Sequence, residues 1–231
     1  REHVANLVGS SPSGVIFTSG GTESNNLGLF GAAGDGCQVV AGAIEHPSVL
    51  EACSALEAHG HAVVLVEPAA DGRIDPAAVD AEVGDGGGIV SVAWANNELG
   101  SINGVAAIAE VCARRGALLH VDAAQAAGKV DLSACAVDLI TISGHKMHGP
   151  MGTGALVVRE GVEVSAQHHG SGQERGRRSG TLNVPGIVGL GAAAAIASDQ
   201  WEEDVGDDGK WRRGQKDTLR AEPIGQRDYD E

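Results

Sequence analysis

The sequence predicts an α/β fold, a mostly parallel β-sheet covered by helices on both faces. Two observations carry this expectation. Short runs that are apolar throughout recur along the chain, separated by stretches of helical periodicity; strands buried on both faces read in this way. Several of these runs end in glycine and polar residues, at the strand end where parallel α/β sheets bind ligands.

The elements follow in order. Residues 15–18 (VIFT) form a strand that runs into Ser19-Gly20-Gly21-Thr22, and helical spacing follows through Asn26, Leu27 and Phe30. Residues 38–41 are a second strand. Pro47 opens a helix through Leu50, Cys53 and Leu56, because proline is favoured in a first turn that needs no N–H donor. Residues 62–66 are a strand and 76–83 a short helix. The strand at 89–93 ends in Asn96-Asn97-Glu98, and 105–115 has helical periodicity. Residues 118–121 are a strand ending at Asp122, and 137–142 a strand ending in Ser143-Gly144-His145-Lys146. Polar clusters at Gly20–Thr22, Glu45–His46, Asn96–Asn97, Asp122–Gln125 and Ser143–Lys146 therefore fall at equivalent strand ends and converge on one site.

Composition bounds the class. The 231 residues suffice for one large domain or two small ones, and 42% of them are hydrophobic. With 35 glycines and 3% aromatics, the core is built from Ala, Val, Leu and Ile and joined by tight turns. No apolar run approaches the roughly 18 residues of a membrane span, and no leader is visible at Arg1. The expectation is a cytoplasmic protein. A net charge of -15 argues against nucleic-acid binding through the general surface. The acid excess, with lysine only at 129, 146, 210 and 216, points to adaptation to high salt; the plain alternative is an ordinary acidic cytosolic protein. Cys37, Cys53, Cys112 and Cys135 are far apart, with no CxxC pair, which argues against a metal site or redox motif and for free thiols. From Trp201 to Glu231 charged residues and glycine dominate, so residues 1–200 are expected to be the folded domain and 201–231 a disordered tail.

The clusters suggest chemistry. Lys146 at a strand end is either a surface lysine or an amine that forms a Schiff base with an aldehyde cofactor. Gly20-Gly21-Thr22 between strand and helix suits a phosphate at a helix N-terminus, or a plain turn with Thr22 as N-cap. Asp122 suits a protonated pyridine nitrogen, a metal or a helix cap, and Gln125 a phenolic oxygen on the same ring. His46 suits stacking on an aromatic cofactor and proton shuttling, or a place on the helix-flanking surface. His145 suits a phosphate contact or a hold on the lysine. Asn97 suits a ring oxygen, or the Asn96-Asn97 pair suits a turn. The basic stretch from Glu174 to Thr181 reads as a loop that neutralises a phosphate or a substrate carboxylate.

Taken together, FTSGGTESNN (17–26), EHPSVL (45–50), ANNELG (95–100), HVDAAQ (120–125), SGHKMHGP (143–150) and RSGTLNV (178–184) resemble the cysteine desulfurases of the class V aminotransferase family, which use pyridoxal 5'-phosphate (PLP). The likeness covers roughly residues 1–198, and its details resemble the subgroup serving nitrogen fixation and iron–sulfur cluster assembly. It implies the large domain of a fold type I PLP-dependent transferase. It implies that Lys146 holds PLP, Asp122 pairs with the ring nitrogen, Gln125 and Asn97 contact the ring-oxygen region, and His46 stacks on the ring. Gly21, Thr22, Ser143 and His145 would hold the phosphate, and Thr181 would reach the phosphate of a partner subunit in a homodimer. L-cysteine would be the substrate, and a scaffold or acceptor protein would receive the sulfur, with no nucleic acid, membrane or metal involved. The family's nucleophilic cysteine and carboxylate-binding arginine lie in a small C-terminal domain that has no counterpart here. The chain is therefore expected to be a large domain cut at both ends and inactive alone; a fragment, a frameshift product and a split enzyme all fit, and the alternatives are another class V PLP enzyme, a transaminase or lyase, or a non-catalytic remnant.

Overall fold

The structure, a computed structural model, describes residues 1–133 and 135–204, with side chains through residue 199. Its strands are β1 (Val15–Thr18), β2 (Val39–Gly42), β3 (Val63–Val66), β4 (Gly88–Ala93), β5 (Ala117–Asp122), β6 (Leu139–Ser143) and β7 (Gly154–Val158). The helices among the described residues are α1 (Glu2–Leu7), α2 (Gly21–Ala32), α3 (Pro47–Ala58), α4 (Pro76–Glu82), α5 (Val105–Arg115) and α6 (Val184–Asp204). Each strand and helix expected from the sequence is present, most within one or two residues of its expected ends. α1, β7 and α6 are additional. α6 continues four residues past the expected end of the domain at 200; the rest of the expected tail, 205–231, lies outside the described residues.

One sheet holds all seven strands in the order β1-β7-β6-β5-β4-β2-β3. The pairs β2·β3, β2·β4, β4·β5 and β5·β6 are parallel. β7 is antiparallel to both β1 and β6, so β1 runs in the same direction as β2 to β6. Only β7 is reversed. Ten residues, 144–153, join β6 to β7, too few for the dozen or more that a parallel crossover needs.

Both faces of the sheet are buried, and successive strand residues alternate between them. Phe17, Val90, Val92, Leu119, Val121, Ile140 and Ile142 pack with Val4 of α1, Val79 of α4, Ile108 of α5 and Leu190 of α6. Ile89 packs on the other face with Leu29 of α2 and Val49, Cys53 and Leu56 of α3. Ile16, Leu139 and Leu156 pack there with Leu27 of α2. The sheet thus lies between α2 and α3 on one side and the remaining helices on the other. Since β1 to β6 point one way, the polar clusters after β1, β2, β4, β5 and β6 all sit along one edge.

Candidate active site

That edge holds a cavity of about 240 Å³. Nine of the ten residues singled out in the sequence line it: Gly21, Thr22, His46, Asn97, Asp122, Gln125, Ser143, His145 and Lys146. Thr181 does not; it is exposed on the segment before α6.

At the end of β1, Gly20 has φ +153° and is the N-cap of α2. The N-cap is therefore not Thr22, which sits within the first turn; glycine supplies the unusual backbone angle that the turn requires. The turn is pressed against β7, since a Cβ on Gly154 would come 2.7 Å from the Gly20 Cα. Gly21 and Thr22 open the helix at the cavity, where first-turn N–H groups have no intrahelical acceptor and favour an anion. Ser143 Oγ and His145 Nδ1, 3.2 Å apart, lie on the same cavity.

Asp122 ends β5 and is 8% exposed. Its Oδ1 accepts from the Ala124 N–H at 2.9 Å and its Oδ2 from Asn25 Nδ2 at 2.8 Å. Among the described residues no cation pairs with it. Below it on β5, His120 is fully buried between Ser91 Oγ (2.8 Å) and Thr141 Oγ1 (3.1 Å). Burial pushes its pKa down to about 4, against the pull of Asp122, and keeps the ring neutral.

After β2, Glu45 is buried, with Oε1 accepting from the Ala93 N–H at 2.8 Å and Oε2 unpartnered. Burial, opposed by that N–H and reinforced by the Asp122 charge, pushes its pKa up to about 8. His46 is the N-cap of α3: its Nδ1 accepts from the Ser48 N–H at 3.1 Å, and Pro47 fills the first helical position.

The asparagine pair after β4 divides its work. Asn96 is buried and builds the turn: Oδ1 accepts from the Glu98 and Leu99 N–H groups at 2.9 Å, and Nδ2 donates to the Ile44 carbonyl at 2.9 Å. Asn97 is exposed toward the cavity. After β6 a short 3-10 turn, Gly144–Met147, presents Lys146 at the cavity. A Cβ on Gly144 would meet Thr153 Oγ1 at 2.6 Å, so glycine lets this turn close against the start of β7. Burial, and then the charge of Lys146, lowers the pKa of Lys129 nearby.

Two polar residues at the site were not read from the sequence. Asn25 and Ser48 line the cavity, and Asn25 is 0% exposed. Helix phase does not single out Asn25, since it follows Gly21 by four residues just as Asn26 follows Thr22.

The basic loop does not serve the cavity directly. Arg178 is paired with Glu23 at 2.7 Å, Arg1 with Glu174 at 2.6 Å, and Arg175 donates to the Ser13 carbonyl at 2.8 Å. None of these arginines lines the cavity. The four cysteines are also elsewhere. Burial pushes the Cys53 and Cys112 thiols up to about 11 and about 12, and Cys135 lines a crevice with Val8 and Arg159 at the opposite sheet edge.

Residues 1–208 match the aminotransferase class-V family model, and the chain belongs to that family, whose enzymes depend on PLP. It is 46% identical over 212 residues to the cysteine desulfurase IscS of Pseudomonas aeruginosa strain UCBPP-PA14, covering 88% of this chain and 52% of that protein. The cysteine desulfurase IscS of Salmonella arizonae is 44% identical over 213 residues, with 89% and 53% covered. The chain thus spans about half the length of the curated relatives it matches. Among solved structures, a NifS-like protein superposes with a TM-score of 0.84 at 38% identity, covering 88% of this chain and 58% of the other. DndA from Streptomyces lividans gives 0.83 at 40%, with 88% and 61% covered. The fold is that of the PLP-dependent cysteine desulfurases, as the sequence motifs implied. No helix among the described residues is long and apolar enough to cross a membrane.

Proposed function

We infer that this chain carries the cofactor site of a cysteine desulfurase, which removes sulfur from L-cysteine to leave alanine and a protein persulfide for iron–sulfur cluster assembly. The observation that carries this reading is a buried carboxylate, Asp122, with no cationic partner among the described residues, in one cavity with a lysine and a helix N-terminus. PLP fits those groups: a ring nitrogen that can carry a proton, an aldehyde for an amine, and a phosphate for the helix start and hydroxyl. When bound, PLP withdraws electrons from the amino-acid carbon attached to it.

The residues divide the work. Lys146 is the amine that holds the aldehyde. Asp122 keeps the ring nitrogen protonated by charge pairing in a buried setting. Gly21, Thr22, Ser143 and His145 bind the phosphate, His46 covers the ring, and Asn97 and Gln125 bond its oxygen side. Thr181, exposed and away from this cavity, is free to serve a second copy in a homodimer. The enzyme works in the cytoplasm, at high salt, and hands its sulfur to an acceptor protein. A second reading is another class V enzyme, a transaminase or lyase, which needs PLP and no cysteine in the cavity; none of the described cysteines lines it.

Mixing the chain with PLP, cysteine and reductant tests these readings. A thiolate must reach the substrate sulfur to accept it, so this chain is expected to bind PLP without releasing sulfide at an enzymic rate. Borohydride reduction and peptide mapping should place the cofactor on Lys146; label on Lys129 would refute the assignment. Keto acid as product would favour the second reading.

A further inference from the structure

One hydrogen in the cavity has no freedom. The Ser48 backbone N–H points at His46 Nδ1 from 3.1 Å. Nδ1 is therefore an unprotonated acceptor, and the neutral ring carries its proton on Nε2. Ser48 Oγ, 2.8 Å from the same Nδ1, must then donate to it. That oxygen accepts from Asn25 Nδ2 at 2.8 Å, and the same amide nitrogen donates to Asp122 Oδ2 at 2.8 Å. The amide cannot be reversed, because Oδ1 in place of Nδ2 would face a carboxylate oxygen, acceptor against acceptor. Asn25 gives up one bond for this arrangement. Its Oδ1 is buried without a partner, a defect that costs about 1–3 kcal/mol. Every proton between Asp122 and His46 thus has one assigned direction.

We propose that the Asn25 and Ser48 side chains are positioning groups that hold the rotation of His46 relative to Asp122 and reinforce the protonation pattern that the Ser48 backbone N–H selects, so that the neutral ring offers the cavity a hydrogen-bond donor at Nε2 and no basic nitrogen. The consequence for chemistry rests on the functional reading above: His46 donates to an anionic substrate or cofactor atom, and proton abstraction falls to the Lys146 amine. The hydrogen-bond chain itself does not depend on that reading.

The test reads the His46 ring nitrogens by long-range ¹H–¹⁵N correlation in the full ¹⁵N-labelled chain without added PLP, at a pH where free imidazole is neutral. The His46 signals are assigned by their loss in His46→Gln. In the unsubstituted protein a single tautomer is expected, with a pyrrole-like Nε2 and a pyridine-like Nδ1. In Ser48→Ala and in Asn25→Ala the Nδ1 resonance should move toward that of a pyridine-type nitrogen with fewer hydrogen-bond donors, while the backbone N–H of residue 48 keeps Nε2 pyrrole-like, and Ser48→Thr, which keeps the hydroxyl, should restore the Nδ1 resonance. A ring protonated on Nδ1 or averaged in the unsubstituted protein overturns the proposal. So do resonances unchanged in both alanine variants. Because no PLP is present, failure to bind PLP would count against the functional reading and leave this one to be decided by the tautomer.

Discussion

At the residue scale, Asp122 is the most consequential side chain. Both its oxygens are already committed as acceptors, to the Ala124 N–H and to Asn25 Nδ2. Asp122→Asn therefore does two things. It removes the charge that would pair with a protonated ring, and it sets an NH₂ group against one of the two donors, the Ala124 N–H or the Asn25 amide. The variant should lose about 1–3 kcal/mol of stability and bind PLP at least about tenfold more weakly, the loss of one charge-assisted bond. Thermal melts and a PLP absorbance titration check both; unchanged affinity would remove Asp122 from the site. Most of the cavity was legible because its residues follow apolar runs directly, so strand direction alone brings them together. Asn25 and Ser48 were not, since their roles arise from contact between α2 and α3, and nothing local separates Asn25 from its neighbour Asn26. The alternative of a plain turn capped by Thr22 fails because Gly20 takes the cap position, with no side chain to signal it.

At the element scale, β7 holds the α2 N-terminus in place. Gly154→Ala would put a Cβ 2.7 Å from both the Gly20 Cα and the Ile142 carbonyl oxygen, backbone on both sides. The expected cost is about 1–3 kcal/mol, seen as a lower urea midpoint, with weaker PLP binding as the turn is displaced. A midpoint equal to that of the unsubstituted protein would show that the turn yields freely. β7 and α6 escaped sequence reading for different reasons. β7 is a five-residue apolar run that starts at a glycine and runs into Arg159 and Glu160, with no α-helix following until Val184. α6 carries glycines at 186, 189 and 191, poor helix formers. At two of them the helix lies tight against the β6–β7 connection: a Cβ on Gly189 would meet Pro150 Cγ at 2.4 Å, and one on Gly186 would meet Thr153 Cγ2 at 2.5 Å.

At the scale of the whole molecule, two buried groups set the pH response near neutrality. Glu45 titrates at about 8 when folded, against 4.5 for an ordinary glutamate, so stability falls as pH rises across that interval. His120 titrates at about 4 when folded, against 6.5, so stability rises with pH between those values. The slopes oppose each other below about 6.5, and of these two groups only Glu45 acts from there to about 8. Stability should therefore decline over that last interval. Glu45→Gln keeps an acceptor for the Ala93 N–H and cannot ionise; it should flatten the decline and be more stable than the unsubstituted protein at pH 8 by more than about 1 kcal/mol. Urea unfolding at the two ends of the interval decides. Salt gives a second test. A net charge of -15 repels itself, and ions screen that repulsion over roughly 3 Å at 1 M compared with about 30 Å at 0.01 M. A melting temperature that rises in molar salt supports adaptation to high salt, and one that stays flat or falls removes it.

The reversal of β7 also sets an order of events in time. β1 finds its register only on β7, pairing Val15 with Val157 across most of the described chain. Contacts between residues so distant in sequence form late, since closing the long loop costs entropy before any bond repays it. The strands from β2 to β6 can assemble from nearer neighbours, but the turn at Gly20 has no wall until β7 arrives. During refolding, or as the chain leaves the ribosome, the anion-binding end of the cavity should therefore mature last. Capacity to take up PLP would then appear in the slowest kinetic phase, after the signal of secondary structure has saturated.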